Sequence, residues 1–167
     1  MEQKYSALHH FMTVRNNLPP CSHEEADTRM MVHVVDAIGN SHKLIVIRTA
    51  GTDVVVLAVA GLVTVNLEEL WVSYGTGKSH KVLLTHLFAK ALGTSKSRYL
   101  PLFHALMGCD TTSFFNGHGK RTAWTTWENF PDVTCAFLEL ACAPSAISSE
   151  SSRNRILMAL LLIWTIA

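Results

Sequence analysis

A mostly parallel central sheet flanked by helices, an α/β fold, is predicted for this chain by three observations. Residues 44–47 and 54–60 are wholly apolar runs of strand length, as expected of strands buried on both faces. Ala26, Met30, Val34 and Ile38 recur at helical spacing before the first run, with Met31 and Val35 beside them. Beyond Gly75-Thr76-Gly77-Lys78 the apolar residues fall at helical spacing, which makes the second half helix-rich.

Each element has a local reason. Asn16-Asn17-Leu18-Pro19-Pro20 reads as a loop, because two prolines remove backbone donors in succession. Ser22 and Glu25 then form an S-x-x-E capping box at the start of a helix that Gly39-Asn40 stops. Residues 43–48 form a first strand around Leu44-Ile45-Val46-Ile47, and the turn 49–53 leads into the second apolar run. Residues 70–74 form a further strand with a flexible glycine turn after it. A helix over 82–92 stops at Gly93, 100–107 is a second apolar segment, and helices over 120–127, 133–142 and 153–166 complete the chain. Gly117-His118-Gly119-Lys120 joins two of them, and 145–152 is the linker-like stretch.

At 167 residues the chain can bury one core, so a single domain is expected. With 14 Lys and Arg against 13 Asp and Glu there is no global basic field, and any nucleic-acid contact must come from a local patch. Cys21, Cys109, Cys135 and Cys142 are dispersed, without zinc-like spacing or a signal peptide before them, which fits an intracellular, reducing compartment, nucleus or cytoplasm. The apolar run 156–167 is shorter than the roughly twenty residues that cross a bilayer, so no membrane association is expected. It ends without a polar cap, which suggests a fragment of a longer product and an apolar end open to a protein partner.

Acids recur at the ends of these elements. Glu24, Glu25 and Asp27 crowd a helix start, Asp53 follows a buried strand, and Asp110 stands in Gly108-Cys109-Asp110-Thr111-Thr112-Ser113. Each has an ordinary reading: helix-start acids favour the positive helix end, Asp53 suits a turn, and Asp110 suits an N-cap. Together they have the chemistry of a Mg²⁺ or Mn²⁺ site, since these hard cations take a few carboxylates and keep several waters.

Glu25-Ala26-Asp27, Gly51-Thr52-Asp53 and Asp110-Thr111-Thr112-Ser113, with Gly117-x-Gly119-Lys120 behind, resemble the ordered motifs of the PIN-like 5′-nuclease superfamily, the group of flap endonucleases. The longer strings H-E-E-A-D-T-R, T-D-V-V-V-L-A and F-H-A-L-x-G-C-D-T are also similar to uncharacterised, mobile-element-like animal proteins of the same fold type. The likeness covers residues 20–140 or so. It implies a PIN-like fold in which 22–107 is the α/β metal-site part, 108–142 a helix–hairpin–helix-like part, and 143–167 a linker and apolar helix.

The resemblance further implies Glu25, Asp27, Asp53 and Asp110 as metal ligands, Glu24 as a substitute, and Gly117, Gly119, Lys120 and Arg121 as contacts to DNA or RNA phosphates. The implied reaction is Mg²⁺-dependent hydrolysis of structured DNA or RNA. Three departures imply an impaired site holding one ion or none. Residues 1–21 contain no Asp, Gly51 stands where a first turn acid belongs, and Ser113 stands where a second acid follows Asp110. The alternative is an inactive nucleic-acid or protein interaction module, or a gene remnant.

Two look-alike motifs are rejected. Gly75-Thr76-Gly77-Lys78-Ser79 ends like a phosphate-binding P-loop but has Val72 where that motif needs glycine. His23-Glu24-Glu25-Ala26-Asp27 lacks the second histidine of a zinc-protease helix. The nine histidines are scattered, and Trp124 and Trp127, three apart on a helix, read as core.

Overall fold

The computed structural model describes residues 26–65, 67–108 and 119–142, together with 150, 154 and 157–159. The chain divides into two compact units, Met1–Phe88 and Ala89–Ala167. The capping box at Ser22 and Glu25 and most of the 153–166 helix lie outside the described residues.

Helix α1 spans Ala26–Gly39 and buries Val34 and Ala37 on one face. Its last carbonyls are closed by the N–H groups of Ser41 and His42, which donate to Ile38 and Ala37 at 2.9 and 3.1 Å, with Ser41 at φ 66° turning the chain back. Strand β1, Leu44–Thr49, follows at once and alternates, with Ile45 and Ile47 buried. Helix α2 is Thr52–Gly61, strand β2 is Glu69–Tyr74, and strand β3 is Lys81–Leu84.

The α/β class holds, but the sheet is mixed where a mostly parallel one is expected from sequence. Among the described residues it has three strands in the order β1-β2-β3. β1 and β2 are parallel, from Leu44 opposite Glu69 to Thr49 opposite Tyr74, and β3 returns antiparallel with Lys81 opposite Tyr74. Parallel neighbours need a crossover, and α2 is that crossover.

This requirement explains the first misreading. Residues 54–60 are helical, not a strand, because an unbroken apolar run carries no period by which helix and strand differ. Val54, Ala58 and Val59 are its buried residues, at helical spacing. The second misreading is the start of the 82–92 helix, since Val82, Leu83 and Leu84 belong to β3. There the helix begins at Thr85, whose buried Oγ1 donates to the Leu70 carbonyl at 2.8 Å and ties the helix start to β2. The core of this unit joins Val34, Ala37, Ile45, Ile47, Val54, Ala58, Leu70 and Val72.

Helix α3, Thr85–Leu106, leads from the first unit into the second and is broken at Gly93, which takes φ 75° and ψ 168°. Only glycine adopts that conformation readily, so the expected stop at Gly93 coincides with a real break in helical geometry. Helices α4, Lys120–Asn129, and α5, Asp132–Cys142, complete the described second unit. Its core gathers Tyr99, Phe103, Met107, Ala123, Trp127, Val133, Ala136, Phe137 and Ala159. Trp127 stacks on Phe103 with centroids 5.0 Å apart and meets Trp124 and Phe137 edge-on at 5.3 and 5.2 Å. Both tryptophans are therefore packing residues, as expected. No helix among the described residues is long and apolar enough to cross a membrane.

Candidate functional site

Strand direction organises the polar residues of the first unit. In open α/β sheets the carboxyl ends of parallel strands are where backbone groups and helix N-termini converge on a ligand. At the end of β1 the chain turns through Ala50 and Gly51, whose N–H donates to Thr49 Oγ1 at 3.0 Å. Gly51 is the N-cap of α2 in extended geometry, with no side chain capping the helix. Asp53 stands in the first turn of α2, half-buried, so the positive helix end faces a carboxylate.

Asp27 reaches the same edge by another route. The turn at 40–43 is short, and α1 shares with β1 a small cleft lined by Met30, His33 and Val34 on one side and Ile45 to Arg48 on the other. α1 thus runs back along β1, and its first turn, with half-buried Asp27, lies toward the carboxyl edge from which α2 starts. Two of the expected acids are contributed by helix starts at one end of the sheet. Glu24, Glu25 and Asp110, with Ser113 and Gly117, lie outside the described residues. Among the described residues no three His, Cys, Asp or Glu side chains gather into a metal-binding group.

The expected phosphate contacts belong to the second unit. Gly119 is the N-cap of α4 and accepts from the N–H groups of Thr122 and Ala123 at 3.1 and 3.2 Å. Lys120 and Arg121 are exposed in the first turn. The segment between Gly108 and Gly119, which would form the hairpin of a helix–hairpin–helix element, lies outside the described residues.

The turn after β2 departs from a P-loop in the way its sequence indicates. Gly77–Ser79 is a single 3₁₀ turn, and β3 follows it, not a helix. The turn is nevertheless tightly built. The Gly75 N–H donates to the Thr49 carbonyl at 2.9 Å, which ties the end of β2 to the end of β1. Ser79 N–H closes onto Thr76 at 3.1 Å, and His80 Nε2 lies 2.8 Å from Ser73 Oγ. Gly75 has φ +82°, and a Cβ there would sit 2.9 Å from the Ser79 carbonyl oxygen. Gly75→Ala is expected to lower stability by about 2 kcal/mol, the cost of a left-handed non-glycine residue with added crowding. Urea unfolding reads this directly, and an unchanged midpoint would show that the turn is not closed in this way.

Sequence reading missed this turn as a neighbour of Asp53. The available signal was strand direction: once β1 and β2 are parallel, the segments after Thr49 and Tyr74 must leave the sheet side by side. His86 has a structural role. His86 Nδ1 lies 3.1 Å from the Leu70 carbonyl, and its ring is tilted against Trp71 at 6.5 Å. Comparison with protein-family models, curated proteins and solved structures finds no match to this chain.

Proposed function

We propose that the chain is a divergent PIN-like nuclease domain with an impaired site for Mg²⁺-dependent hydrolysis of phosphodiester bonds in structured DNA or RNA. The observation that carries the reading is Asp53, which starts a helix from the carboxyl end of a parallel strand, with Asp27 on a helix start toward the same edge. Two carboxylates suit Mg²⁺, which is commonly held by one or two of them together with water and substrate phosphate. In this reading Asp27 and Asp53 would hold the ion, with Glu25 and Asp110 as further ligands. The ion, when bound, activates water and stabilises the leaving oxygen. In the same reading Lys120 and Arg121, after Gly119, contact the substrate's phosphates. A helix–hairpin–helix-like element around Gly117 belongs to the same reading.

The test is cleavage of flap, single-stranded and duplex substrates with Mg²⁺ or Mn²⁺. Asp53→Ala and Asp110→Ala are each expected to reduce the rate by about 100-fold or more, since even groups that only support a metal ligand cost 10–100-fold when removed. Equal residual cleavage by the wild type and both variants would reject catalysis.

A second reading, an inactive nucleic-acid or protein interaction module, is favoured by Gly51 at the position of a turn acid and by the lack of any Asp in residues 1–21. It predicts no specific heat of Mn²⁺ binding in a calorimetric titration. The nuclease reading predicts binding that Asp53→Ala abolishes.

A further inference from the structure

The sheet of the first unit is electrically polarised along its strands. At the carboxyl edge stand Arg48 near the end of β1, Lys78 on the 3₁₀ turn after β2, and Lys81 at the start of β3. All three are exposed, and no ion pair engages them among the described residues. Counted with Asp53 and with Asp27, which the start of α1 brings toward this edge, the three cations leave a local charge of +1. The opposite edge is acidic. There Lys43 is paired with Glu68 at 2.9 Å, and Glu69 accepts from the Trp71 indole at 2.9 Å. Hydrogen bonding and the charge of Glu68 hold the Lys43 ammonium above the usual lysine range.

Register places the cations around one edge. Thr49, Tyr74 and Lys81 form the terminal cross-strand row, and Arg48, Ser73 and Val82 form the next. Successive residues of a strand point to opposite faces, so Lys81 and Arg48 flank the edge from its two sides. Lys78 lies between β2 and β3 on a turn fixed by the Gly75, Ser79 and His80 contacts, so its backbone position is set before any ligand arrives. Hydroxyl donors Thr52, Thr76 and Ser79 lie on the same two turns and are exposed.

We infer that this edge is a binding rim for the phosphodiester backbone of a single-stranded polynucleotide, with Arg48, Lys78 and Lys81 as its phosphate contacts. A polyanion with regularly spaced charges suits separated cations and hydroxyl donors around a fixed edge, and backbone contacts of this kind position a strand without reading its sequence. The inference deepens the proposed function: it rests on that reading for cleavage beside Asp53, while binding itself needs no metal.

The test is fluorescence anisotropy of a labelled single-stranded oligonucleotide with the full chain in EDTA, titrated across KCl concentrations. Each phosphate contact contributes about 0.7 to the slope of log affinity against log salt for single strands. The combined variant Arg48→Gln, Lys78→Gln, Lys81→Gln should therefore flatten the slope by about 2, and Lys78→Gln alone by about 0.7. Lys90→Gln, on the exposed side of α3, should leave it unchanged. Circular dichroism confirms that the variants, all at exposed positions, remain folded. Wild-type slope in the triple variant, or no binding by the wild type, overturns the rim. Binding that depends on the rim without Mg²⁺-dependent cleavage supports the inference and rejects the nuclease reading.

Discussion

Trp127→Ala is expected to destabilise the second unit by about 3–5 kcal/mol, the range for removing a large buried aromatic side chain. Trp127 is fully buried and sits among Phe103, Trp124 and Phe137, with centroids 5.0 to 5.3 Å away. Its indole N–H also donates to Thr134 Oγ1 at 2.9 Å, across the turn from α4 to α5. Alanine would leave a cavity between three helices and strand the Thr134 hydroxyl. A loss of that size is a large fraction of the roughly 5–15 kcal/mol that holds an ordinary domain together. Trp127→Phe keeps most of the ring contact and loses the hydrogen bond, so about 1–2 kcal/mol is expected. Urea unfolding monitored by far-ultraviolet circular dichroism measures both. Equal midpoints for wild type and Trp127→Ala would contradict the packing described for this core.

Val72→Asp is expected to prevent folding of the first unit at neutral pH. Val72 is fully buried on the middle strand, opposite Ile47 on β1 and Leu83 on β3. The change removes apolar burial worth about 1.5–3 kcal/mol and adds an unpaired buried carboxylate at several kcal/mol more. The pH dependence has a definite sign. Burial raises the folded-state pKa of the introduced carboxyl above its unfolded value of about 3.9, so the folded state binds more protons. The penalty is smallest below that unfolded value and grows as pH rises toward the folded pKa. Two-dimensional NMR spectra at neutral and acidic pH, with Val72→Ala beside Val72→Asp, separate charge burial from lost volume. Dispersed sheet resonances for Val72→Asp at neutral pH would show that this position is not the interior of the sheet.

Much of the fold was legible in the sequence where length or period is distinctive. The face of α1 repeats Met30, Val34 and Ile38, and Leu44-Ile45-Val46-Ile47 is bounded by polar residues at strand length. The 54–60 run was illegible as a helix because every position is apolar, and only the need to cross between parallel strands decides it. β3 was hidden for a similar reason. Val82, Leu83 and Leu84 continue smoothly into a helix whose start is set by the Thr85 contact with Leu70, fifteen residues away. At the candidate site, Asp53 was legible as an acid following a buried strand. The company of Arg48, Lys78 and Lys81 was not, since it depends on β3 returning antiparallel to the edge where β1 and β2 end.

The continuity of β1, α2, β2 and β3 has an evolutionary meaning. Arg48, Asp53, Lys78 and Lys81 all fall within one uninterrupted stretch of chain, residues 48–81, with no contribution from the second unit. A gene rearrangement that carried this stretch into another context would carry the charged edge whole, with the spacing of its groups set by strand pairing inside the transferred piece. Gly119, Lys120 and Arg121 would be inherited or lost separately. Asp53 would travel with the three cations, whereas Asp27 and Asp110 are encoded outside this stretch, so such a transfer would keep the charged edge and break up the set of acids.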